Sequence, residues 1–385
     1  MTELFINVSN IISPLCYSIM RIEPYTSCNF NCTYCYARWY REQGVPQPKY
    51  NVLHDFLKIA KTIHKKQLKP LPIRLSTLVE PFQPIEYDEK ISLKVLEIAY
   101  RYNYPVIVNT KSTLLIRKPW LSMLVDMADR GLVVVQYSFS TFEEKYHKVL
   151  EPKAPTPEER VEAAGFLSDE GVPMVFRISP YIPEITNSIG FKAIAKIAKE
   201  CRVKHVIVES IRLTEKEFSK VYSVLGLSVP PLEKYSLRGE GELLRLSLEM
   251  RLRHYMQMVR ELKTYNIGFA TCKEGFYNLH SVSDCCGFYL FNKPAAKRIT
   301  LYEYFLEAQT RDIELNLIEE IHSKLCKKHN ALCSHSVREY PRTMKKPLKY
   351  HEKRLLKILK DPKTLLKVAP VFTIYRDKLR VKHVV

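Results

Sequence analysis

The stretch Ser27-Cys-Asn-Phe-Asn-Cys-Thr-Tyr-Cys-Tyr-Ala-Arg38 sets Cys28, Cys32 and Cys35 in a C-x3-C-x2-C triplet, with Tyr36 directly after the last thiol. Three thiolates this close can occupy three corners of a 4Fe-4S cube and leave its fourth iron open to a small chelating ligand. An open iron implies chemistry rather than storage. Zinc is the competing reading, since C-x2-C pairs commonly hold a tetrahedral ion. A zinc knuckle would usually add a second near pair, and none follows before the cysteines that begin at Cys272. A third reading is three unrelated buried thiols.

Outward from this loop, apolar runs of strand type alternate with segments of helical period, the pattern of repeated βα units around a parallel sheet. Strands are expected at Ile73 to Leu78, Pro105 to Thr110, Leu132 to Ser138, Pro173 to Ser179 and His205 to Glu209. Helices are expected at Val52 to Ile63, Ile91 to Tyr102, Leu115 to Ala128, Pro157 to Ser168 and Phe191 to Glu200. The fold class is α/β, a partial (β/α)6 barrel of TIM type, with its chemistry on loops at the carboxyl ends of the strands. Glu80, Lys111, Ser140 and Tyr181 each follow an expected strand. Beyond Glu209 the pattern changes: Val229-Pro230-Pro231 marks a break, a charged amphipathic helix is expected from about Glu240 to Lys263, and a short strand from Ile267 to Ala270 completes the barrel region.

The chain of 385 residues is 46% hydrophobic, enough for one large domain and a smaller module. The divisions read from the sequence are an N-terminal extension over 1–20, the barrel over 21–271, a Cys-rich module over 272–340 and a basic tail over 341–385. No apolar run is long enough to span a bilayer, and Asn7, Ser9 and Asn10 interrupt the N-terminal stretch, so no signal-peptide core is expected. No membrane partner follows, and the expected location is cytoplasmic. Ten cysteines in groups suit metal binding in a reducing compartment, with few or no disulfides. A formal charge of +19 makes nucleic acid a candidate partner, against the reading of a generally basic protein. In the tail, Leu355, Leu356, Ile358 and Leu359 interleave with Lys and Arg as on a basic amphipathic helix.

The cysteine loop resembles the signature of the radical S-adenosylmethionine (SAM) superfamily, and within it the spore photoproduct lyase group. The strings that carry the resemblance run from about residue 20 to 185: the loop with Tyr34 and Tyr36, Glu80-Pro-Phe-Gln-Pro-Ile-Glu86, Thr110-Lys-Ser112, Ser138-Phe-Ser-Thr141, Leu150-Glu-Pro152 and Pro180-Tyr-Ile-Pro183. The resemblance implies a 4Fe-4S cluster on Cys28, Cys32 and Cys35. It also implies SAM on the open iron, reductive cleavage to a 5'-deoxyadenosyl radical, hydrogen abstraction from a substrate, and a ferredoxin- or flavodoxin-type reductant. Tyr34 and Tyr36 would stand beside SAM and the substrate as the catalytic pair. Glu80, Lys111, Ser138, Ser140 and Arg177 would contact the cofactor. A Lys at a strand end suits a carboxylate and a hydroxyl suits a ribose. One departure concerns the lyase's hydrogen-donor cysteine, whose place is taken here by Thr77, a poor hydrogen-atom donor. Nucleic acid is therefore one substrate class and a peptide or small metabolite another. A metal-stabilised nucleic-acid-binding protein without turnover is a third reading.

The cysteines at 272, 285, 286, 326 and 333 raise a second metal site, with Cys272, Cys286, Cys326 and Cys333 as its expected ligands for either an iron-sulfur cluster or zinc. Cys16 and Cys201 read as packing residues.

Overall fold

The computed structural model describes residues 3–235 and 243–382. Its centre is a seven-stranded, all-parallel sheet in sequential order. The strands are β1 Met20–Ile22, β2 Ile73–Leu75, β3 Val106–Thr110, β4 Val133–Phe139, β5 Met174–Tyr181, β6 His205–Ser210 and β7 Gly268–Thr271. The strand expected at Ile267 to Ala270 joins the sheet as Gly268–Thr271, in parallel with His205–Val208, and Met20–Ile22, before the cysteine loop, is the first strand, so the six βα repeats are closed by a seventh strand. Helices α1 Tyr50–Lys65, α2 Ile91–Arg101, α3 Trp120–Asp129, α4 Pro157–Asp169, α5 Phe191–Glu200 and α6 Leu248–Thr264 connect or cover the strands.

Local chemistry explains the boundaries. Helix α1 buries Val52, Phe56, Ile59, Ala60 and Ile63, a single stripe of helical period. Helix α4 opens with a capping box between Thr156 and Glu159, with Pro157 in its first turn. The helix expected over Leu115 to Ala128 is split at Pro119 into a 3-10 turn at Leu114–Ile116 and helix α3. Proline has no N–H to give and pushes the residue before it out of the α region. The helix expected from Glu240 begins instead at Leu248, where the Ser247 side chain accepts from the Met250 N–H. Leu244–Leu246 belongs to a small antiparallel sheet with Arg212–Leu213 and Leu232–Lys234, and residues 240–242 lie outside the described residues.

Strand periodicity divides the interior in two. Val106, Val108, Val133, Val135, Phe176 and Val208 belong to the main core between sheet and helices. Their neighbours Ile107, Val134, Val175 and Ile207 form a separate cluster inside the barrel with Tyr17, Cys272, Cys286, Phe288 and Phe291. Side chains alternate across a strand, so a single residue step selects one cluster or the other. The segment around Phe288 closes the amino end of the barrel: the Asn292 N–H donates to Gly131 O at 3.2 Å and the Ala296 N–H to Pro70 O at 2.8 Å. Gly131, at φ +65, lets Asn292 approach to a distance that a Cβ would forbid, with its backbone N only 2.7 Å from that position.

A second core joins the two ends of the described chain. Ile11 and Leu15 pack with Ile299, Leu301, Leu325, Leu355, Leu359 and Phe372. The expected basic tail is thus a packed element: helix α7 Arg342–Leu359 buries Met344, Leu348, His351, Leu355, Ile358 and Leu359. Phe372–Tyr375 and Lys378–Val381 follow as a hairpin, paired to Ile313–Glu314. The packing also runs across the boundary expected at 340/341. The amphipathic pattern of the tail is present, and its apolar stripe has a partner within the chain. Among the described residues no helix is long and apolar enough to cross a membrane.

Candidate active site

The cysteine loop follows β1 at the carboxyl mouth of the barrel. Cys28, Cys32 and Cys35 are free thiols, each partly exposed. The loop is held from outside by the Glu80–Glu86 string. The Asn29 N–H donates to Gln83 Oε1 at 2.8 Å, and Gln83 Nε2 donates to Ser27 O at 2.9 Å. Glu86, fully buried, accepts from the Ser92 and Leu93 N–H groups at 2.9 Å each and from Trp120 Nε1 at 2.8 Å. The Glu80 N–H points at Cys28 Sγ, 3.4 Å away. Burial pushes the Cys28 thiol up and the Cys32 thiol up to about 12, with Lys111 working in the opposite direction on Cys32. A cation bound by these thiols would displace their protons.

Glu80, expected to meet the cofactor, has both oxygens already engaged: Oε1 accepts from Thr110 Oγ1 at 2.7 Å and from the Phe82 N–H at 3.1 Å, and Oε2 from the Lys111 N–H at 2.8 Å. It fixes the end of β3 and so the direction of Lys111.

The two tyrosines separate. Tyr34 is buried and its hydroxyl donates to Glu151. Tyr36 is 38% exposed, its hydroxyl donating to Thr77 O at 3.4 Å and its ring 5.8 Å from Lys273 Nζ. Ser140 is likewise buried, donating to Glu151 Oε1 at 2.9 Å. Ser138 receives Lys111 Nζ at 3.3 Å and donates to Ser179 O at 3.2 Å. Of the expected set, Tyr36, Lys111 and Ser138 face the mouth, whereas Tyr34 and Ser140 support it from behind.

Carboxylates organise what remains. Glu151, fully buried, is paired with Arg160 and lies 4.0 Å from Lys111 Nζ. Burial would raise its carboxyl, but Arg160 and then Lys111 outweigh that and hold it at about 2. Glu23 receives the hydroxyl of Ser76, the Thr77 Oγ1 at 2.7 Å and the Thr77 N–H at 2.9 Å. The Thr77 hydroxyl also accepts from Arg21 at 2.9 Å, so it is locked between an acid and a base. Arg177, expected to contact the cofactor, instead pairs with Glu209, which also binds Arg212 and takes Lys273 Nζ at 3.0 Å. Three cations around one carboxylate leave this side of the mouth positive, a setting for an anionic group.

Sequence reasoning missed Glu23, Glu209, Arg212 and Lys273 and gave Glu151 no role. A signal existed for Glu209. It lies two residues past Ile207 on β6, on the same inward face, as Arg177 follows Val175.

The expected second metal site is not assembled. Cys326 and Cys333 are joined to each other in a disulfide and belong to the second core, whereas Cys272 and Cys286 lie inside the barrel. Residues 326–333 close one helical turn and loop, which brings those two sulfurs to each other rather than to the barrel. His322 is the third member of their group.

Residues 22–189 match the model of the radical SAM superfamily. An uncharacterized protein of Methanocaldococcus jannaschii is 30% identical over 171 residues, 43% of this chain and 61% of that protein. An uncharacterized protein of Acidianus two-tailed virus is 29% identical over 118 residues, 31% of this chain and 37% of that protein. The chain thus spans less than two thirds of either relative. Among solved structures, spore photoproduct lyase complexed with dinucleoside spore photoproduct superposes with a TM-score of 0.54 at 16% identity, covering 70% of this chain and 79% of that one. That likeness is one of fold.

Proposed function

We propose, from the match of residues 22–189 to the radical SAM superfamily model, that this chain is an enzyme that cleaves SAM reductively. The observation that carries this reading is the triplet of free thiols at the carboxyl mouth of a parallel barrel, braced by Gln83 and by the Glu80 N–H. A 4Fe-4S cluster on Cys28, Cys32 and Cys35 with SAM at its open iron would supply the electron that releases a 5'-deoxyadenosyl radical, which takes a hydrogen atom from the substrate. Lys111 is the cation for the SAM carboxylate, aimed by Glu80 through its backbone. Ser138 offers a hydroxyl to a ribose. Glu151 keeps Lys111 and Tyr34 in place without leaving its own pair with Arg160. Tyr36 is the aromatic that touches substrate. A ferredoxin- or flavodoxin-type protein is the proposed reductant.

For the substrate we favour nucleic acid. Helix α7 leaves Arg342, Lys346, Lys349, Lys353 and Lys357 exposed on one stripe, and the cations around Glu209 suit a phosphate. Repair that returns a hydrogen atom from the position of Thr77 does not fit, because that hydroxyl is engaged on both sides.

The test is the yield of 5'-deoxyadenosine from SAM after anaerobic reconstitution and dithionite reduction, comparing the native chain with Cys32→Ala. Product from the native chain alone supports the reading. Iron bound with no product from either chain sinks it and leaves a metal-stabilised nucleic-acid-binding protein.

A further inference from the structure

His322, Cys326 and Cys333 meet in the second core, away from the barrel. Cys326 follows His322 by four residues on the helix Ile318–Lys328, so both lie on its buried face. Cys333 returns to them from the loop beyond. The loop itself holds that return: the Ala331 N–H donates to Cys326 O at 2.9 Å, the Cys333 N–H to Ser336 Oγ at 2.9 Å, and Ser336 Oγ to Ala331 O at 3.0 Å. The two cysteine Cα atoms stand 6.3 Å apart. Both Sγ atoms and one imidazole nitrogen lie within 4.8 Å of one another. A disulfide in an apolar core needs no imidazole beside it. His322 is buried and has a polar partner on each ring nitrogen, Tyr304 Oη at 2.8 Å from Nδ1 and Glu352 Oε1 at 3.2 Å from Nε2. Glu352 is tied in turn to the residue after Cys333, its Oε2 accepting from the Ser334 N–H at 2.6 Å and the Ser334 hydroxyl at 2.7 Å. Metal-binding histidines are fixed in this way, with one nitrogen on the metal and the other on a carboxylate or similar partner.

From this we infer that the reduced chain binds one zinc ion through His322, Cys326 and Cys333, and that the disulfide between the two cysteines is the alternative state of the same site. Two thiolates and an imidazole are a donor set that suits zinc. Around a tetrahedral zinc, with bonds of roughly 2.0–2.3 Å, ligand atoms stand about 3.3–3.8 Å apart. Breaking the disulfide lets the sulfurs part to that spacing by side-chain rotation, while the backbone bonds keep Cys333 over the helix. The fourth position falls to Glu352 or to a water that it holds. A dithiol reductant gives two electrons and two protons to the disulfide and is itself oxidised to a disulfide. Zinc then takes both sulfurs and displaces the two thiol protons to solvent. Either state joins the helix Ile318–Lys328 to the loop that leads into α7, so the second core keeps a crosslink when the disulfide is reduced. The site shares no residue with the loop at Cys28, Cys32 and Cys35 and does not depend on SAM cleavage.

The experiment uses the full chain carrying Cys28→Ala, Cys32→Ala and Cys35→Ala, so that zinc cannot occupy that loop. One sample is reduced with a phosphine and one is left oxidised. Both are given zinc chloride, freed of excess by gel filtration, and assayed for zinc per chain. We expect one zinc in the reduced chain and none in the oxidised chain. Cobalt in place of zinc should give the reduced chain a thiolate-to-cobalt charge-transfer band. Adding Cys326→Ser and Cys333→Ser should abolish zinc and band together, and adding His322→Phe should shift the cobalt bands. Because these substitutions can prevent folding, the exchange of states supplies a test that leaves the site intact. Oxidising the zinc-loaded chain with a small disulfide should release one zinc for each Cys326–Cys333 disulfide formed, the zinc read with a chromophoric chelator and the disulfide by peptide mass mapping. Zinc retained while that disulfide reforms would overturn the inference. So would a reduced chain of native circular dichroism that takes up no zinc, or one whose zinc survives the loss of both cysteines.

Discussion

The mouth and the floor of the barrel are built from the same strands, two residues apart, and hold together by opposite means. On β4, Val134 packs against the floor while Gln136 and Ser138 rise toward the mouth, and on β5 Val175 gives way to Arg177 and Ser179. The floor is a mainly apolar layer closed by Phe288 and Phe291, with a few buried polar groups such as Asp284 tied to its backbone. In the mouth, Glu23, Glu80, Glu151 and Glu209 each gather donors or cations. A parallel barrel can thus be stable at one end and reactive at the other, because inward side chains two residues apart share a face but not a neighbourhood.

The largest effect expected at the mouth is on turnover. Cys32→Ala should reduce 5'-deoxyadenosine to background, measured by chromatography after reduction, with the fold unchanged by circular dichroism. Next in size is stability. Glu151→Ala leaves Arg160 buried without its partner and should cost about 3–5 kcal/mol in urea unfolding, comparable with the roughly 3–5 kcal/mol for Phe288→Ala at the floor. Equal costs of different origin can be told apart by pH. The Glu151 carboxyl is held down at about 2, so its contribution is complete above the unfolded carboxyl value of roughly 4.3 and is lost as pH falls through 2. The stability gap between the native chain and Glu151→Gln should therefore be flat above pH 5 and narrow in acid, whereas the gap for Phe288→Ala should stay level. A gap that narrows equally for both would dissolve the distinction.

Smaller effects separate the two tyrosines. Tyr34→Phe removes the donor to buried Glu151 and should cost about 1.5–3 kcal/mol, as hydrogen bonds to charged groups do. Tyr36→Phe should stay within about 0.5 kcal/mol, so any loss of activity there reports on substrate binding. Smallest for the barrel itself is charge reversal on α7. Lys346→Glu, Lys349→Glu and Lys353→Glu should leave SAM cleavage unchanged while flattening the salt dependence of nucleic-acid affinity, its slope falling by roughly 0.9 for each phosphate no longer neutralised. Affinity that does not respond would turn attention to a peptide or small metabolite.

The fold was legible wherever periodicity carried it. Helix α5 matches its expected bounds at Phe191–Glu200, and β4 differs by a residue at each end, because the first has a strongly amphipathic pattern and the second opens on a run of valines that favours a buried strand. Pro119 breaks a helix that the apolar spacing alone would join. The cysteine loop was legible because its three thiols are local. Tertiary contacts were not: nothing in the sequence connects Cys286 with the barrel strands until Arg74 donates to its sulfur and Gln136 to its carbonyl. Cys326 and Cys333 mislead for the opposite reason, being close enough in sequence to satisfy each other. The carboxylates at 23 and 209 escape notice because a lone Glu after a strand looks like surface until its three or four donors are seen.

The second core also fixes an order of events during synthesis. Ser13 Oγ is 2.9 Å from His351 Nδ1, across 338 residues of chain. At a translation rate of roughly 5–20 residues per second, Ile11 and Leu15 wait on the order of tens of seconds for the helix they pack against. During that interval the strands of the barrel emerge one after another and can pair, while this apolar segment stays uncovered beside them. A nascent chain arrested before Leu355 should therefore display residues 11–15 to any factor that binds exposed hydrophobic segments, and release them once α7 has left the ribosome.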